Sequence, residues 1–338
     1  MTHAWRLCAL ILALALPVTL AGQSGRTVIR LATLVPDGSI WDKNLKIMAA
    51  EWTRASGGRV GVTVFPSGAL GDEREVVRRM RFDNPQAAAF TVVGLSEIDD
   101  AFSLFTVPFF FDSYEELYDV IDTLTPTLAR RLDQKNFVLL AWGHAGWAQV
   151  FTTRPVKTLA ELKQVKLFTS AGDERMVQLY KANGFQPRAL AMTDIPTGLT
   201  SGLIDALWAP PALANAFQWF RQTKYMLDIG LAPVVGAVVI TKKAWNAFPD
   251  VERTKYLEAG KEMEKRLKVE IPEQDRASIE EMRKRGLTVT KAEGPEWRSV
   301  AQSFASGMRG EMVPADIYDL AVKERDAFRR QTSGAAGR

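Results

Sequence analysis

The chain has 338 residues, among them 43 basic and 39 acidic side chains, a formal net charge of +4, one cysteine and two histidines. Charges this balanced and interspersed exclude the single-sign face that nucleic acid or an anionic membrane demands. One cysteine excludes an intrachain disulfide, and two histidines exclude a histidine-rich metal cluster, so the core must hold by burial alone, in two domains. Met1–Ala21 has the parts of a secretory leader: Arg6 as basic head, the apolar run Leu7–Leu16, and a small-residue cleavage site at Thr19-Leu20-Ala21. The run is shorter than the roughly 20 residues that cross a bilayer. Cys8 stands at the start of that run rather than after it, which excludes a lipid-attachment site. Cleavage after Ala21 predicts a periplasmic protein with no cysteine and His144 as its single histidine.

Val28–Leu34 alternates and is β-branched, as a strand requires. Pro36-Asp-Gly-Ser39 turns it into an amphipathic helix from Ile40, with Trp41, Leu45, Met48, Ala49 and Trp52 at helical spacing and Gly57-Gly58 at its end. Val60–Phe65 is the next strand, and Asp72 caps a helix through Val76, Val77 and Met80. Ala87–Val93 reads as a strand buried on both faces, Phe102–Phe111 as an aromatic loop, and Ser113-Tyr-Glu-Glu116 as a capping box. Phe137–Ala141 is a further buried strand. Strands alternating with helices in this way predict an α/β fold with a mainly parallel sheet.

The pattern then repeats. Val165–Thr169, Pro187–Met192 and Ile204–Trp208 read as strands, with helices at Asp173–Asn183 and Thr193–Ser201 between them. Val234–Ile240 is a long apolar strand returning to the first sheet, so chain crossings between two sheets form a hinge. Asp250–Lys268 and Gln274–Arg285 are charged helices, and Ser333–Gly337 is an expected disordered tail.

The residues leave little room for catalysis. The exported chain has no thiol nucleophile, and no Gly-x-Ser-x-Gly elbow presents a serine to His144, which lies at a strand end in Trp142-Gly-His-Ala-Gly146. The reading is of a protein that is not an enzyme and that needs no cofactor or metal. Ligands of open α/β sheets sit beyond the carboxyl ends of the strands. That rule selects Leu34, Val35 and Trp41, then Thr91 and Val92, then Trp147 and Ala148, and in the second sheet Phe168, Met192, Trp208 and Ala209.

Three phrases in fixed order, Phe65-Pro-Ser-Gly-Ala-Leu-Gly-Asp-Glu-Arg-Glu-Val76, Val107-Pro-Phe-Phe-Phe111 and Leu162-Lys-Gln-Val-Lys-Leu-Phe-Thr169, carry a family likeness. From about Val28 to Glu262 the chain resembles the DctP-type substrate-binding subunits of tripartite ATP-independent periplasmic (TRAP) transporters. The resemblance implies a two-lobed periplasmic binding protein fold of type II character. One lobe takes residues 27–147 with about 236–272, the other 148–235 with about 273–330, and a tail begins at 331. It also implies a small-molecule ligand held by lobe closure and delivery to a permease of one small and one large membrane subunit. A ligand-presenting or sensing role beside a non-permease partner, such as a helical-repeat protein, is the alternative.

The departures from the family fall at the ligand. The third phrase usually ends in Lys-(Ile/Leu)-Arg, whose arginine clamps a carboxylate; this chain has Phe168 there. A second family arginine aligns with Ala148, an asparagine with Ala209 and a glutamate with Trp208. A bidentate arginine gives a carboxylate two charge-assisted hydrogen bonds, and burying the carboxylate unpaired costs several kcal/mol. An apolar or weakly polar ligand, and not a simple dicarboxylate, is therefore expected. Two other readings stay open: Phe168 and Trp208 pack into the second lobe's core, or the clamp is rebuilt from Arg175 or Arg188. Backbone N–H groups at Pro36–Ser39 offer a weak anion site, and Glu73-Arg74-Glu75 reads as structural.

Overall fold

A computed structural model describes residues 26–335, so the expected leader lies outside the described residues. The chain opens with β1 (Thr27–Thr33), α1 (Ile40–Ala55), β2 (Val60–Phe65), α2 (Glu73–Met80), β3 (Ala87–Thr91), α3 (Val92–Ile98), α4 (Tyr114–Gln134) and β4 (Phe137–Trp147). It continues with β5 (Gln149–Thr152), α5 (Leu159–Leu162), β6 (Lys166–Ser170), α6 (Glu174–Ala182), β7 (Gln186–Leu190), α7 (Ile195–Thr200), β8 (Ala206–Ala209), α8 (Pro211–Ala216) and β9 (Tyr225–Asp228). It closes with β10 (Pro233–Thr241), α9 (Lys242–Asn246), α10 (Asp250–Lys284), β11 (Thr288–Lys291), α11 (Glu296–Met308) and α12 (Ala315–Ala335).

Two sheets result. The first is 5-stranded in the order β2-β1-β3-β10-β4, and the second 6-stranded in the order β11-β9-β5-β8-β6-β7. β1, β2 and β3 run parallel, as do β6, β7 and β8, while β10 and β5 run antiparallel to their neighbours. The antiparallel strands belong to the segments that cross between the lobes. β4 leaves the first sheet at Trp147 and β5 enters the second at Gln149; the return path runs from β9 to β10. The two crossings are paired, Ala148 N donating to Ala232 O at 2.8 Å and Leu231 N to Ala148 O at 2.9 Å.

Helices clothe the first sheet because its strands are apolar on both sides. One face packs against α1 and α10, where Trp52 stacks on Tyr256 with ring centroids 4.1 Å apart. The other packs against α3, α4 and a 3-10 turn, Asp100–Thr106, that places Phe102 and Phe105 against Trp142. That turn stands where an aromatic loop is predicted. The Asp99 side chain caps it by accepting from Ala101 N at 3.0 Å, and its aromatics are sealed in the core.

The structure departs from the sequence reading at several boundaries. β3 ends at Thr91, whose hydroxyl caps α3, so Val92 is helical rather than part of the strand. Ser113 caps α4, but the Glu116 carboxylate turns to Arg329 instead of closing a capping box; the box that does form is Thr158 with Glu161. The two charged helices are one, α10, which passes through Pro272. α11 packs in the second lobe through Trp297 and Phe304. Met308, Met312, Val313, Ile317 and Ala321 then return to the core of the first lobe, which assigns α12 there and not to the lobe expected for residues 273–330. α12 also runs to Ala335, through residues predicted as a disordered tail.

Candidate functional site

Parallel strands that end at the facing edges of two sheets leave a cleft, and here it holds a cavity of about 190 Å³. The first lobe contributes Leu34 beyond β1, the start of α2, the turn from β3 into α3, and Phe105. The second contributes Phe168–Ala171 at the end of β6, Leu190–Met192 at the end of β7, Trp208–Pro210 at the end of β8, and Trp219; Ala148 and Leu231–Val235 of the hinge close the floor.

Most of the predicted positions meet in this wall: Leu34, Thr91, Val92, Ala148, Phe168, Met192, Trp208 and Ala209. Val35 and Trp41 line a smaller adjoining cavity of about 50 Å³, where Trp41 Nε1 donates to His144 O at 2.9 Å. Trp147 lines neither. Its ring stands edge-on to Tyr114 with centroids 5.2 Å apart, and its backbone N–H donates to Asp275 Oδ2 at 3.3 Å. Gly146, at φ 112°, turns the strand there; a Cβ on it would lie 2.1 Å from Asp275 Oδ2.

Phe168 and Trp208 both pack and line. Phe168 is buried among Phe151, Ile195, Leu207 and Trp219, while Trp208 packs on the cluster around Val150 and Leu167; each also presents a face to the cavity. The arginines suggested for a rebuilt clamp are elsewhere. Arg188 Nη1 donates to Pro187 O at 3.1 Å and does not line the cavity. Arg175 reaches across the cleft rim to Asp100 with bonds of 2.6 and 3.1 Å, joining α6 of the second lobe to the first. The lobes thus touch through this ion pair.

The polar groups of the wall are mostly committed. Glu73 is fully buried and accepts from Thr91 N and Thr91 Oγ1, each at 2.7 Å, and from Gly94 N at 2.8 Å. Burial pushes its carboxyl above the usual range, against the pull of those donors. The Thr91 hydroxyl also accepts from Val93 N, and with its proton given to Glu73 it has no hydrogen left to donate to a ligand. Asp72 and Asp173 cap α2 and α6. Arg74, which the sequence reading left as structural, is the one basic side chain of the wall among the described residues. Its Nη1 donates to Glu97 at 3.0 Å, and its Nε has no partner. A Cβ on Gly172 would lie 3.0 Å from that Nε, so Arg74 spans the cleft from the first lobe to a turn of the second. Its position in the first turn of a helix that opens on the cleft was the available signal.

The other candidates are occupied. Gly38 N, in the proposed anion turn, donates to Asp42 Oδ2 at 2.8 Å, so a side-chain carboxylate fills the place of an anion. His144 is buried with Nε2 2.6 Å from the Tyr118 hydroxyl, outside the main cavity. Burial and the nearby Lys268 charge push its pKa down to about 4, so it stays neutral.

Comparison with known proteins agrees with this architecture. The family model for bacterial extracellular solute-binding protein, family 7 (DctP), matches residues 31–309. A solute-binding protein of Verminephrobacter eiseniae is 24% identical over 271 residues, covering 80% of this chain and 81% of its own. A TRAP periplasmic solute binding protein of Xanthobacter autotrophicus, solved with bound β-D-galacturonate, superposes with a TM-score of 0.82 at 19% identity, covering 88% of this chain and 99% of that one. DctP7 of Bordetella pertussis, an extracytoplasmic solute receptor binding pyroglutamic acid, gives 0.82 at 22% identity over 89% of this chain and 99% of that one. No helix among the described residues is long and apolar enough to cross a membrane. Two lobes, a cleft cavity and a family match over most of its length identify the chain as a member of the DctP family of bacterial extracellular solute-binding proteins.

Proposed function

We propose that this protein is the periplasmic receptor of a TRAP transporter for a small, mainly apolar or weakly polar molecule. It closes its lobes on that molecule and delivers it to the membrane permease; a non-permease partner is the alternative recipient. The observation that carries the ligand reading is the wall of the second lobe. Where the family resemblance places a clamping arginine, Phe168 lines the cavity beside Met192, Trp208 and Ala209. A dicarboxylate held there would leave at least one buried carboxylate unpaired, at a cost of several kcal/mol. Size agrees as well: an apolar cavity of about 150 Å³ takes benzene, and this one is about 190 Å³.

Galacturonate and pyroglutamic acid, bound by two of the structural relatives, are carboxylates. One feature favours a second reading on those lines, an organic acid held by Arg74, whose Nε is unpartnered. The two readings separate by experiment. Native mass spectrometry of protein purified from its host should release an apolar molecule, and succinate, malate and galacturonate should leave the melting temperature unchanged. Stabilisation by any of these acids that is lost in Arg74→Met establishes the second reading and removes the first.

A further inference from the structure

We propose that the ligand is elongated: a compact apolar body in the main cavity, and an unbranched alkyl tail that passes between Leu34, Met192 and Leu213 into the smaller chamber lined by Trp41. This rests on the apolar reading of the cavity and adds the ligand's shape and the side on which its tail lies.

Two smaller voids flank the main cavity. One, of about 50 Å³, lies toward α1 and shares Leu34, Met192, Leu213 and Val235 with the main cavity. The other, of about 40 Å³, lies toward α11 and shares Pro108, Tyr180, Trp208 and Leu231. Each is therefore divided from the main cavity by a wall one residue thick, and the two walls differ in substance. Tyr180 stands edge-on to Phe185 and Phe304, with centroids 5.5 and 5.1 Å away, and Trp208 packs on the cluster around Val150 and Leu167. Packed rings thus hold the wall toward α11. In the wall toward α1, Leu34, Met192 and Leu213 are only half-buried. An unbranched thioether side chain adapts to what lies beside it, so rotamer changes open a passage here that packed rings do not allow.

The lining of the chamber toward α1 decides what enters it. Val35, Phe90, Ala145 and Phe217 are apolar. Trp41 Nε1 is committed to His144 O, and the Glu73 carboxylate to three donors. A void walled in this way forfeits dispersion contacts that an alkyl group restores, and it repays little of the cost of desolvating a polar head. Size sets the length. An apolar cavity of about 150 Å³ takes the six carbons of benzene, so about 50 Å³ takes roughly two carbons, beyond the one or two that cross the wall.

The test titrates toluene, n-butylbenzene and tert-butylbenzene into exhaustively dialysed protein, with binding read by calorimetry. The two butyl isomers have the same carbons, so a difference between them reports shape. n-Butylbenzene should bind about fifteenfold more tightly than tert-butylbenzene, the worth of about two further buried methylenes at about fourfold each. Ala145→Val and Phe217→Trp fill the chamber toward α1 from two sides, on β4 and after α8. Each should bring the isomer ratio to about one while holding the affinity for toluene within about twofold, which reports that the main cavity is intact. Val300→Phe, which fills the void toward α11, should leave the ratio as it is. Equal binding of the two isomers by wild type, a ratio that survives both chamber-filling variants, or a ratio lost in Val300→Phe each overturns the inference and leaves the apolar reading standing. Tight binding of galacturonate, with none of the three alkylbenzenes bound, removes the apolar reading and the inference with it.

Discussion

Phe168 belongs to the core of the second lobe and to the cavity at once, and this double membership sets what a substitution there does. Phe168→Arg would place a guanidinium among Phe151, Ile195, Leu207 and Trp219. Unpaired, it should cost about 2–4 kcal/mol of stability, seen as a lower urea midpoint. A small monocarboxylate such as benzoate should recover part of the loss in the variant and leave wild type unmoved. Gly146→Ala should be costly for a different reason. Its φ of 112° disfavours any side chain, and the new Cβ meets the Asp275 carboxylate; a loss of about 2–4 kcal/mol is expected by the same measurement. Strand ends are legible in a sequence, which is why Leu34, Thr91, Phe168 and Trp208 could be placed at the cleft from the sequence alone. Trp147 was misplaced because nothing local shows that the strand turns at Gly146 to meet a carboxylate on α10, 128 residues away. Arg74 was passed over because a charged first turn looks alike whether it faces solvent or a cleft.

Most strands and helices of both sheets follow from alternation, caps and glycine stops. What escaped were the long-range choices of the C-terminal elements. Whether Pro272 breaks a helix depends on the packing on both sides of it, and α10 has both lobes to lean on. Its Asp275 joins them, accepting from Trp147 N at the end of β4 and from Ala212 N in α8. The docking of α12 on the first lobe adds to its buried apolar face a set of polar contacts that local pattern cannot show: Arg329 binds Glu116, Asp112 and Phe110 O. Glu116 is almost wholly buried, with 3% of its side chain exposed, whereas Arg329 keeps 36%. Removing the arginine strands a buried carboxylate, so Arg329→Ala should cost about 2 kcal/mol, less than a fully buried pair because water reaches the arginine side. Amide exchange should show the loss concentrated in α12. An equal change spread over both lobes would place the anchor elsewhere.

Across the whole molecule, two buried ionisable groups lie near the hinge and act on stability in opposite directions. Asp275 is pushed up to about 7 by burial, against its two backbone donors. The folded chain therefore keeps a proton that the unfolded chain releases at about 4. Its contribution is full below that lower value and is lost as pH rises through about 7. His144, held down at about 4, does the reverse. The unfolded chain takes up a proton below about 6.5 that the folded chain refuses, so stability rises with pH from about 4 to 6.5. Glu73 and Glu264 are also pushed up by burial and share the falling trend, so the wild-type curve alone does not separate the groups. Differences do. The melting temperature of Asp275→Asn minus that of wild type should climb between about pH 4 and 7, and the same difference for His144→Gln should fall between about pH 4 and 6.5. Calorimetry in a series of buffers measures both. Because Asp275 ties a strand of one lobe to a helix of the other, its ionisation also strengthens the two hydrogen bonds that join them there. A melting-temperature difference for Asp275→Asn that is flat across that range would show that water, and not the protein interior, surrounds this carboxylate.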